Sequence, residues 1–491
     1  MRRTIFTAAA AVVLLGTGAP LPATAGAGPA RFYAQPVAWG ACPADFPDWV
    51  PGVTCAVVLV PLDYRRPDGP TETVDISRRP ASDPAGRLGV FVPIPGGPGG
   101  STFESTGYGG YEGLSTRYDV IGIAPRGVGP SQPLLCEGES VPKWGHTRMD
   151  DARMRAYAEE YRRHDQECER AGGARRPYFT TANNARDLDV VRAALGESRL
   201  NLMGHSYGTK VTAAYGTLFP GRLNRSVLDS AMHPDWTFWE AWKQQPIAQR
   251  RNTDRWMSWV AQRNRTYGLG TTRDAVHATV ERLRARLEAD PIGGEFDGDG
   301  LDQTVGATAA QPPDWDYLAG EIRGLVDRTG TTDLRSRRLL EDPPPTSSGV
   351  REAVQCETDW PRDLNVYYRE VRYFSVHYPY GWGAANAAPL ECAFGSVEQV
   401  EPPVAVRRDG YPTGLVVQEE LDAQTPYQGG VAMAARLGHR LLTVPADGEH
   451  VAYGSNACVT ATVDDYFLTG RLPRPGATCA GRPVSDVPPD K

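Results

Sequence analysis

The sequence lacks several features that would assign it to a membrane protein or a nucleic-acid-binding protein. Beyond residue 25 no segment has the roughly 18 consecutive apolar residues that a membrane-spanning helix needs. Lysine and arginine form no runs, and the formal net charge of the 491-residue chain is −7. An acidic chain without a basic patch is not expected to bind nucleic acid or an anionic membrane surface.

The signatures of common cofactor and metal sites are absent too. The sequence contains neither G-x-G-x-x-G, the dinucleotide fingerprint, nor G-K-[ST], the end of a phosphate-binding loop. It contains no C-x-x-C pair, and no cysteine stands at zinc-finger spacing from a histidine. We therefore expect neither a metal ion nor a cofactor.

The first 25 residues have the pattern of a secretory signal peptide. Two arginines, Arg2 and Arg3, precede an apolar stretch over residues 5–15, and residues 23–25 form an A-x-A cleavage site. The apolar stretch is too short to cross a membrane. We expect a secreted, extracellular protein, although the sequence leaves the export route open.

Cysteine is sparse but even in number, which in an exported chain indicates disulfide bonds. The connectivity does not follow from the sequence alone. Sequential neighbours would close short loops, and this favours the pairs Cys42–Cys55, Cys136–Cys168, Cys356–Cys392 and Cys458–Cys479.

Short apolar runs alternate with helix-like segments through much of the chain. The runs end near residues 94, 123, 203, 228, 418 and 444. Such alternation predicts an α/β fold, a mostly parallel sheet with helices on both faces. The rhythm stops over residues 231–400, which hold most of the tryptophans and a proline-rich stretch. We expect a core over 26–230 and 401–491, with 231–400 as an inserted, mainly helical cap.

One pentapeptide predicts the chemistry. Gly204-His205-Ser206-Tyr207-Gly208 lies between an apolar strand and a helix of small residues. G-x-S-x-G in that context is typical of a nucleophile elbow, a strained turn that raises a serine hydroxyl above the end of a sheet. Glycines are needed because larger side chains would collide in so sharp a turn. Ser206 is therefore the candidate nucleophile.

A serine nucleophile needs a base within hydrogen-bond reach and an acid that orients the base. The acid and then the histidine follow the serine in the chain, each at the carboxyl end of a later strand. Asp422 and His450 hold these positions. Asp422 could instead serve only a helix start, and His450 could be an ordinary loop residue. His439 precedes its strand, and we expect it at the surface.

A glycine-rich loop, PGGPGGS at residues 95–101, follows an earlier strand. Acyl transfer builds negative charge on the carbonyl oxygen, and a fixed backbone N–H group stabilises that charge by about 3–4 kcal/mol. We expect the N–H groups of Gly97 and Tyr207 to form this oxyanion hole. The alternative is a Gly/Pro loop without a catalytic role.

These motifs resemble those of the secreted tripeptidyl aminopeptidases of actinobacteria, relatives of the prolyl aminopeptidases among the α/β-hydrolase serine peptidases. The matching segments include the loop at 95–101, PRGVGPS at 125–131, NARDLD at 184–189, the elbow, DAQTP at 422–426 and a C-terminal module that ends near Cys479. The sequence departs from the family pattern at Ala124, Glu449 and Phe394, where the family often has aspartate, glycine and tryptophan.

The resemblance implies an α/β-hydrolase fold and a serine exopeptidase that releases short peptides, often tripeptides, from free amino termini. It assigns Ser206, Asp422 and His450 to the catalytic triad. A free amino terminus needs an anionic partner, and Glu357 and Asp359 are the candidates. A carboxylesterase or lipase with the same triad is the alternative, and a catalytically silent binding protein on the same scaffold is a third. The oligomeric state stays open.

Overall fold

The computed structural model describes residues 29–136, 146–294, 296–327, 348–398 and 400–490. The predicted signal peptide over residues 1–25 lies outside them. No helix of the described segments is both long and apolar enough to span a membrane.

A sheet of eight strands forms the centre of the described residues. The strands are β1 (Thr54–Pro61), β2 (Thr71–Arg79), β3 (Val90–Ile94), β4 (Asp119–Ala124), β5 (Leu200–His205), β6 (Leu223–Asp229), β7 (Leu415–Glu419) and β8 (Arg440–Val444). Their order in the sheet is β1-β2-β4-β3-β5-β6-β7-β8. Strand β2 is antiparallel to both of its neighbours, and every other pair is parallel.

The burial of the strands explains this arrangement. Every residue of β3, β4 and β7 is buried, as expected of parallel strands that helices cover on both faces. Strand β1 is different, because Val57 and Leu59 on one of its faces are exposed. It stands at the edge of the sheet, where one face can remain in contact with water.

Fifteen α-helices account for nearly half of the remaining described residues. They are α1 (Ala30–Tyr33), α2 (Ser105–Tyr108), α3 (Glu112–Ser115), α4 (Asp151–Gly172), α5 (Thr181–Ala194), α6 (Gly208–Leu218), α7 (Phe238–Ala261), α8 (Asn264–Tyr267), α9 (Arg273–Ala289), α10 (Gly298–Ala309), α11 (Trp315–Asp327), α12 (Ser348–Gln355), α13 (Leu364–His377), α14 (Tyr427–Leu437) and α15 (Ala457–Thr469). The longest, α7, begins with a capping box in which Thr237 and Glu240 satisfy each other's backbone N–H groups.

Helices α7 to α13 lie between β6 and β7 in the chain. Several of them share a hydrophobic cluster that is separate from the clusters of the sheet and includes Trp256, Leu301 and Tyr380. Part of this segment therefore has a core of its own, whereas α12 and α13 pack in the same cluster as strands of the sheet.

Four disulfide bonds join Cys42 to Cys55, Cys136 to Cys168, Cys356 to Cys392 and Cys458 to Cys479. They follow the sequential pairing that the sequence favours. The third bond ties the end of α12 to the chain after α13, and the fourth ties the start of α15 to the C-terminal tail.

Candidate active site

The candidate nucleophile stands in a sharp turn between β5 and α6. Ser206 has φ of +55°, in the left-handed region that non-glycine residues rarely adopt. A Cβ atom on Gly204 would come within 2.4 Å of the Gly208 carbonyl oxygen, and one on Gly208 within 2.3 Å of that of Ile94. Both glycines are therefore required by close backbone approach, and the turn has the strain expected of a nucleophile elbow.

The candidate acid and base are joined directly. His450 Nδ1 lies 2.9 Å from Asp422 Oδ2. The Asp422 carboxylate is fully buried and also accepts hydrogen bonds from Gln424 N–H at 2.7 Å, Thr425 N–H at 3.0 Å and the Thr425 hydroxyl at 2.7 Å. These bonds fix the carboxylate so that it can orient the imidazole.

The electrostatics of this pair suit a base. Burial alone would lower the pKa of His450, but the Asp422 carboxylate, together with the charges of Asp229 and Glu449, raises it above the ordinary histidine value. Burial would raise the pKa of Asp422, yet the His450 ring and the hydrogen bonds from Thr425 lower it. Asp422 is thus ionised at neutral pH, which favours the N–H on Nδ1 and leaves Nε2 free to accept a proton.

Asp229, the last residue of β6, connects the serine to the loop that carries the histidine. Its carbonyl oxygen accepts a hydrogen bond from Ser206 N–H at 3.0 Å. Its carboxylate accepts hydrogen bonds from the N–H groups of Ala452 and Tyr453. Among the described residues no hydrogen bond joins Ser206 Oγ to the His450 ring; such bonds are often longer before substrate binds.

The glycine-rich loop lies against the nucleophile. A Cβ atom on Gly96 would be 3.1 Å from Ser206 Cβ and 3.6 Å from its Oγ. Gly97 has φ of +109°, which only glycine adopts readily. Within the described part of the chain, no acceptor takes the backbone N–H of Gly97 or of Tyr207. Both donors are available for an oxyanion.

A cavity of about 340 Å³ opens beside the histidine. Helices between β6 and β7 contribute Gln249 and Gln303 to its wall, and the loop after β8 contributes Glu449 and His450. Arg482 also lines it and forms an ion pair with Glu449. The cavity therefore has polar and charged groups in a mixed wall, and it is directly adjacent to the candidate base.

The two acids that the sequence suggests for the substrate amino terminus lie elsewhere. Glu357 and Asp359 line a different cavity, of about 180 Å³, together with Lys210. Both oxygens of the buried Glu357 carboxylate accept hydrogen bonds from Thr181, one of them from its N–H at 2.6 Å. The structure does not bring this pair into the cavity that contains His450.

The sequence analysis missed the burial of one other histidine. The expectation of a surface His439 is wrong: the residue is buried, accepts a hydrogen bond from Gly414 N–H at 3.1 Å, and burial lowers its pKa to about 3. His205, inside the elbow, is within hydrogen-bond distance of the Tyr111 hydroxyl at 3.3 Å, and burial lowers its pKa to about 4.

One group of potential metal ligands occurs in the described residues, formed by Cys136, His164, Cys168 and Glu352. The two sulfur atoms are joined in a disulfide bond, so they offer no thiolate to a metal. The group is also outside the residues that surround Ser206.

Comparison with known proteins assigns the chain to a family. The family described as TAP-like protein matches residues 378–479. The sequence is 33% identical over 476 residues to a tripeptidyl aminopeptidase of Streptomyces lividans. The aligned region covers 92% of this chain and 88% of that protein. The chain belongs to the tripeptidyl aminopeptidase family. It is also 30% identical over 491 residues to the serine protease Hip1 of Mycobacterium tuberculosis, covering 91% of each.

The topology of the sheet agrees with the family assignment. A solved esterase structure from Exiguobacterium antarcticum is similar at 13% identity and a TM-score of 0.33, covering 82% of this chain and 96% of that one. The strand order and the mostly parallel sheet are those of an α/β hydrolase. The protein is a serine hydrolase of the peptidase type.

Proposed function

We propose that the protein is an exopeptidase that releases tripeptides from the free amino termini of peptides. The observation that carries this proposal is the hydrogen bond between His450 Nδ1 and the buried Asp422 carboxylate, in a loop that Asp229 ties to the elbow of Ser206. Membership in the tripeptidyl aminopeptidase family supports the choice of substrate.

The mechanism follows from the position of each group. His450 Nε2 takes the proton from Ser206 Oγ as the oxygen attacks the scissile carbonyl. The N–H groups of Gly97 and Tyr207 hold the oxyanion, and His450 then gives its proton to the leaving amine. Water, activated by the same histidine, hydrolyses the acyl-enzyme and releases the short peptide.

The cavity beside His450 supplies a place for the residues that precede the cut. We propose that Glu449, rather than Glu357, is the anionic partner of the substrate ammonium group. Glu449 lines that cavity, is partly exposed and forms its ion pair with Arg482 through Oε2, whereas both oxygens of Glu357 accept hydrogen bonds from Thr181. The segment 231–400 would act as a cap that closes the cavity and limits how many residues precede the cut.

The test compares fluorogenic tripeptide amides with free and with acetylated amino termini. Wild type should cleave the free substrate only, and Ser206→Ala should cleave neither. Glu449→Gln should raise KM for the free substrate about tenfold or more, because a hydrogen bond to a charged group is lost. Glu357→Gln is the matched control and should leave KM unchanged.

Two results would overturn parts of this proposal. Equal cleavage of free and acetylated substrates would exclude an aminopeptidase. Hydrolysis of p-nitrophenyl esters without any peptide cleavage would favour a carboxylesterase.

We also propose that the protein is exported. The signal-like pattern over residues 1–25 and four disulfide bonds support this, because disulfides persist in oxidising compartments. Mature protein recovered from the culture medium should begin at Gly26. Retention in the cytosol with the first 25 residues intact would contradict it.

A further inference from the structure

Two side chains at the end of β6 accept hydrogen bonds from the backbone that follows His450, the candidate base. The hydroxyl oxygen of Ser230 accepts a hydrogen bond from Val451 N–H at 2.8 Å. The two carboxylate oxygens of Asp229 accept hydrogen bonds from Ala452 N–H at 3.3 Å and from Tyr453 N–H at 2.9 Å. Three consecutive N–H groups are therefore bound by two adjacent side chains.

The same strand end holds the nucleophile. The Asp229 carbonyl oxygen accepts the N–H of Ser206 at 3.0 Å, so one residue contacts the elbow through its backbone and the base loop through its side chain. Ser230 and Val451 both have positive φ, +55° and +72°. Such conformations persist only where surrounding contacts over-determine them, and they concentrate at functional sites.

We propose that Asp229 and Ser230 are positioning residues, which together set the His450 ring against Ser206. This inference rests on the assignment of Ser206 and His450 proposed above. Asp229 and Ser230 do not touch the substrate, and they act through the backbone of residues 451–453.

The side chain of Ser230 is itself bound by a second buried carboxyl group, that of Glu419. The Ser230 hydroxyl donates a hydrogen bond to Glu419 Oε2 at 3.0 Å, which leaves its lone pairs for Val451 N–H. Burial, with the adjacent charges of Asp229 and Asp422, raises the pKa of Glu419 well above its usual range. These surroundings therefore favour the neutral form of Glu419 next to Asp229.

The carboxylates around His450 also affect its pKa, so the pH profile of the enzyme can be measured as well as kcat. Asp422, Asp229 and Glu449 face His450, and each favours its protonated form. Burial raises the pKa of Asp229 to about 6, and its Oδ2 lies 4.0 Å from Nδ1 of the neutral His205 ring. Removal of the Asp229 charge therefore lowers the pKa of His450. The acidic limb of the pH profile of kcat/KM then moves to lower pH.

The experiment uses the full-length enzyme and the tripeptide amide. Asp229→Asn keeps the shape of the side chain but presents an NH₂ group to one of the two N–H donors. We expect kcat to fall about 10²-fold with KM changed less than about threefold, because a small displacement of a catalytic group acts on the transition state. The acidic limb should move to lower pH.

Two further variants keep the proposal falsifiable. Ser230→Gly tolerates the positive φ but removes the acceptor of Val451 N–H, and we expect kcat to fall about tenfold. Asp119→Asn is the matched control, since Asp119 is also buried and accepts a backbone N–H, from Ala81, at the opposite end of the sheet. The acidic limb of the pH profile of Asp119→Asn should stay at the wild-type pH, even if the melting temperature of this variant drops.

The outcomes separate clearly. A folded Asp229→Asn enzyme with wild-type kcat and an unmoved acidic limb would overturn the proposal, as would an equal change in Asp119→Asn. If Asp229→Asn does not fold, Ser230→Gly decides: a tenfold loss supports the proposal, and wild-type kcat overturns it. Full activity in Ser206→Ala or His450→Ala would instead refute the proposed function.

Discussion

Replacement of Asp422 by asparagine tests the orientation of the base most severely. The carboxylate accepts the N–H groups of Gln424 and Thr425 on Oδ1, and an amide oxygen can retain both bonds. The position of Oδ2, which lies 2.9 Å from His450 Nδ1, becomes an NH₂ donor. The imidazole must then turn its unprotonated nitrogen toward the amide, which puts the proton on Nε2.

A ring with its proton on Nε2 cannot accept the proton of Ser206. We therefore expect Asp422→Asn to fold normally but to lose about 10⁴-fold in kcat at neutral pH, the loss that the wrong tautomer causes in a Ser-His-Asp triad. That factor corresponds to about 5 kcal/mol of transition-state stabilisation. Because the carboxylate makes three other hydrogen bonds with its own loop, a local rearrangement large enough to rescue the tautomer is not expected.

The assay is steady-state cleavage of the free tripeptide amide, with circular dichroism and thermal unfolding of the same samples. Asp75→Asn is the matched control, because Asp75 is a buried carboxylate whose partner is Ser131 rather than a group near the base. It should retain wild-type kcat. A folded Asp422→Asn enzyme that loses less than about tenfold in kcat would exclude Asp422 as the group that orients His450 and would assign that role to another carboxylate.

Three other predictions concern the turn, the base and a disulfide bond. Gly208→Ala places a methyl group 2.3 Å from the Ile94 carbonyl oxygen, so we expect destabilisation of about 2 kcal/mol in a chemical denaturation curve and loss of peptidase activity. Because Asp422, Asp229 and Glu449 together raise the pKa of His450 in spite of its burial, kcat/KM should fall as pH drops through a midpoint above the usual histidine value; a midpoint below that value in a pH–rate profile would contradict the assignment. Replacing Cys356 and Cys392 with serine removes a disulfide bond between residues that are 36 positions apart in the sequence. Thermal or chemical unfolding should show that the free energy of unfolding falls by about 4 kcal/mol, and an unchanged value would contradict this.

The strands and their ends were accessible to sequence analysis for a physical reason. Strands covered on both faces must be continuously apolar, so β3, β4 and β7 stand out as short hydrophobic runs, and the polar residue after each run lies at the edge where such sites form. This rule, together with the order of serine, acid and histidine along the chain, makes Asp422 and His450 candidates, and their side chains lie 2.9 Å apart. Ser206 is a candidate because the elbow demands glycine on both sides.

Contacts between distant segments could not be predicted in this way. His439 lies at a strand start, where exposure is the ordinary expectation, but Tyr411 and Gly414 cover it. The contact of Asp229 with Tyr453 joins residues 224 positions apart, and only the folded sheet brings them together. The separation of Glu357 from the cavity of His450 likewise depends on how α12 packs, which no local pattern encodes.

We propose that the enzyme removes tripeptides from a free amino terminus, and mass spectrometry of the products can show this. The products would be followed over time for one unmodified peptide of ten to twelve residues and for its amino-terminally acetylated form. We expect a ladder of products shortened successively by three residues from the free peptide, and an intact acetylated peptide. Removal of single residues, or a cut at an internal bond of the acetylated peptide, would contradict this proposal.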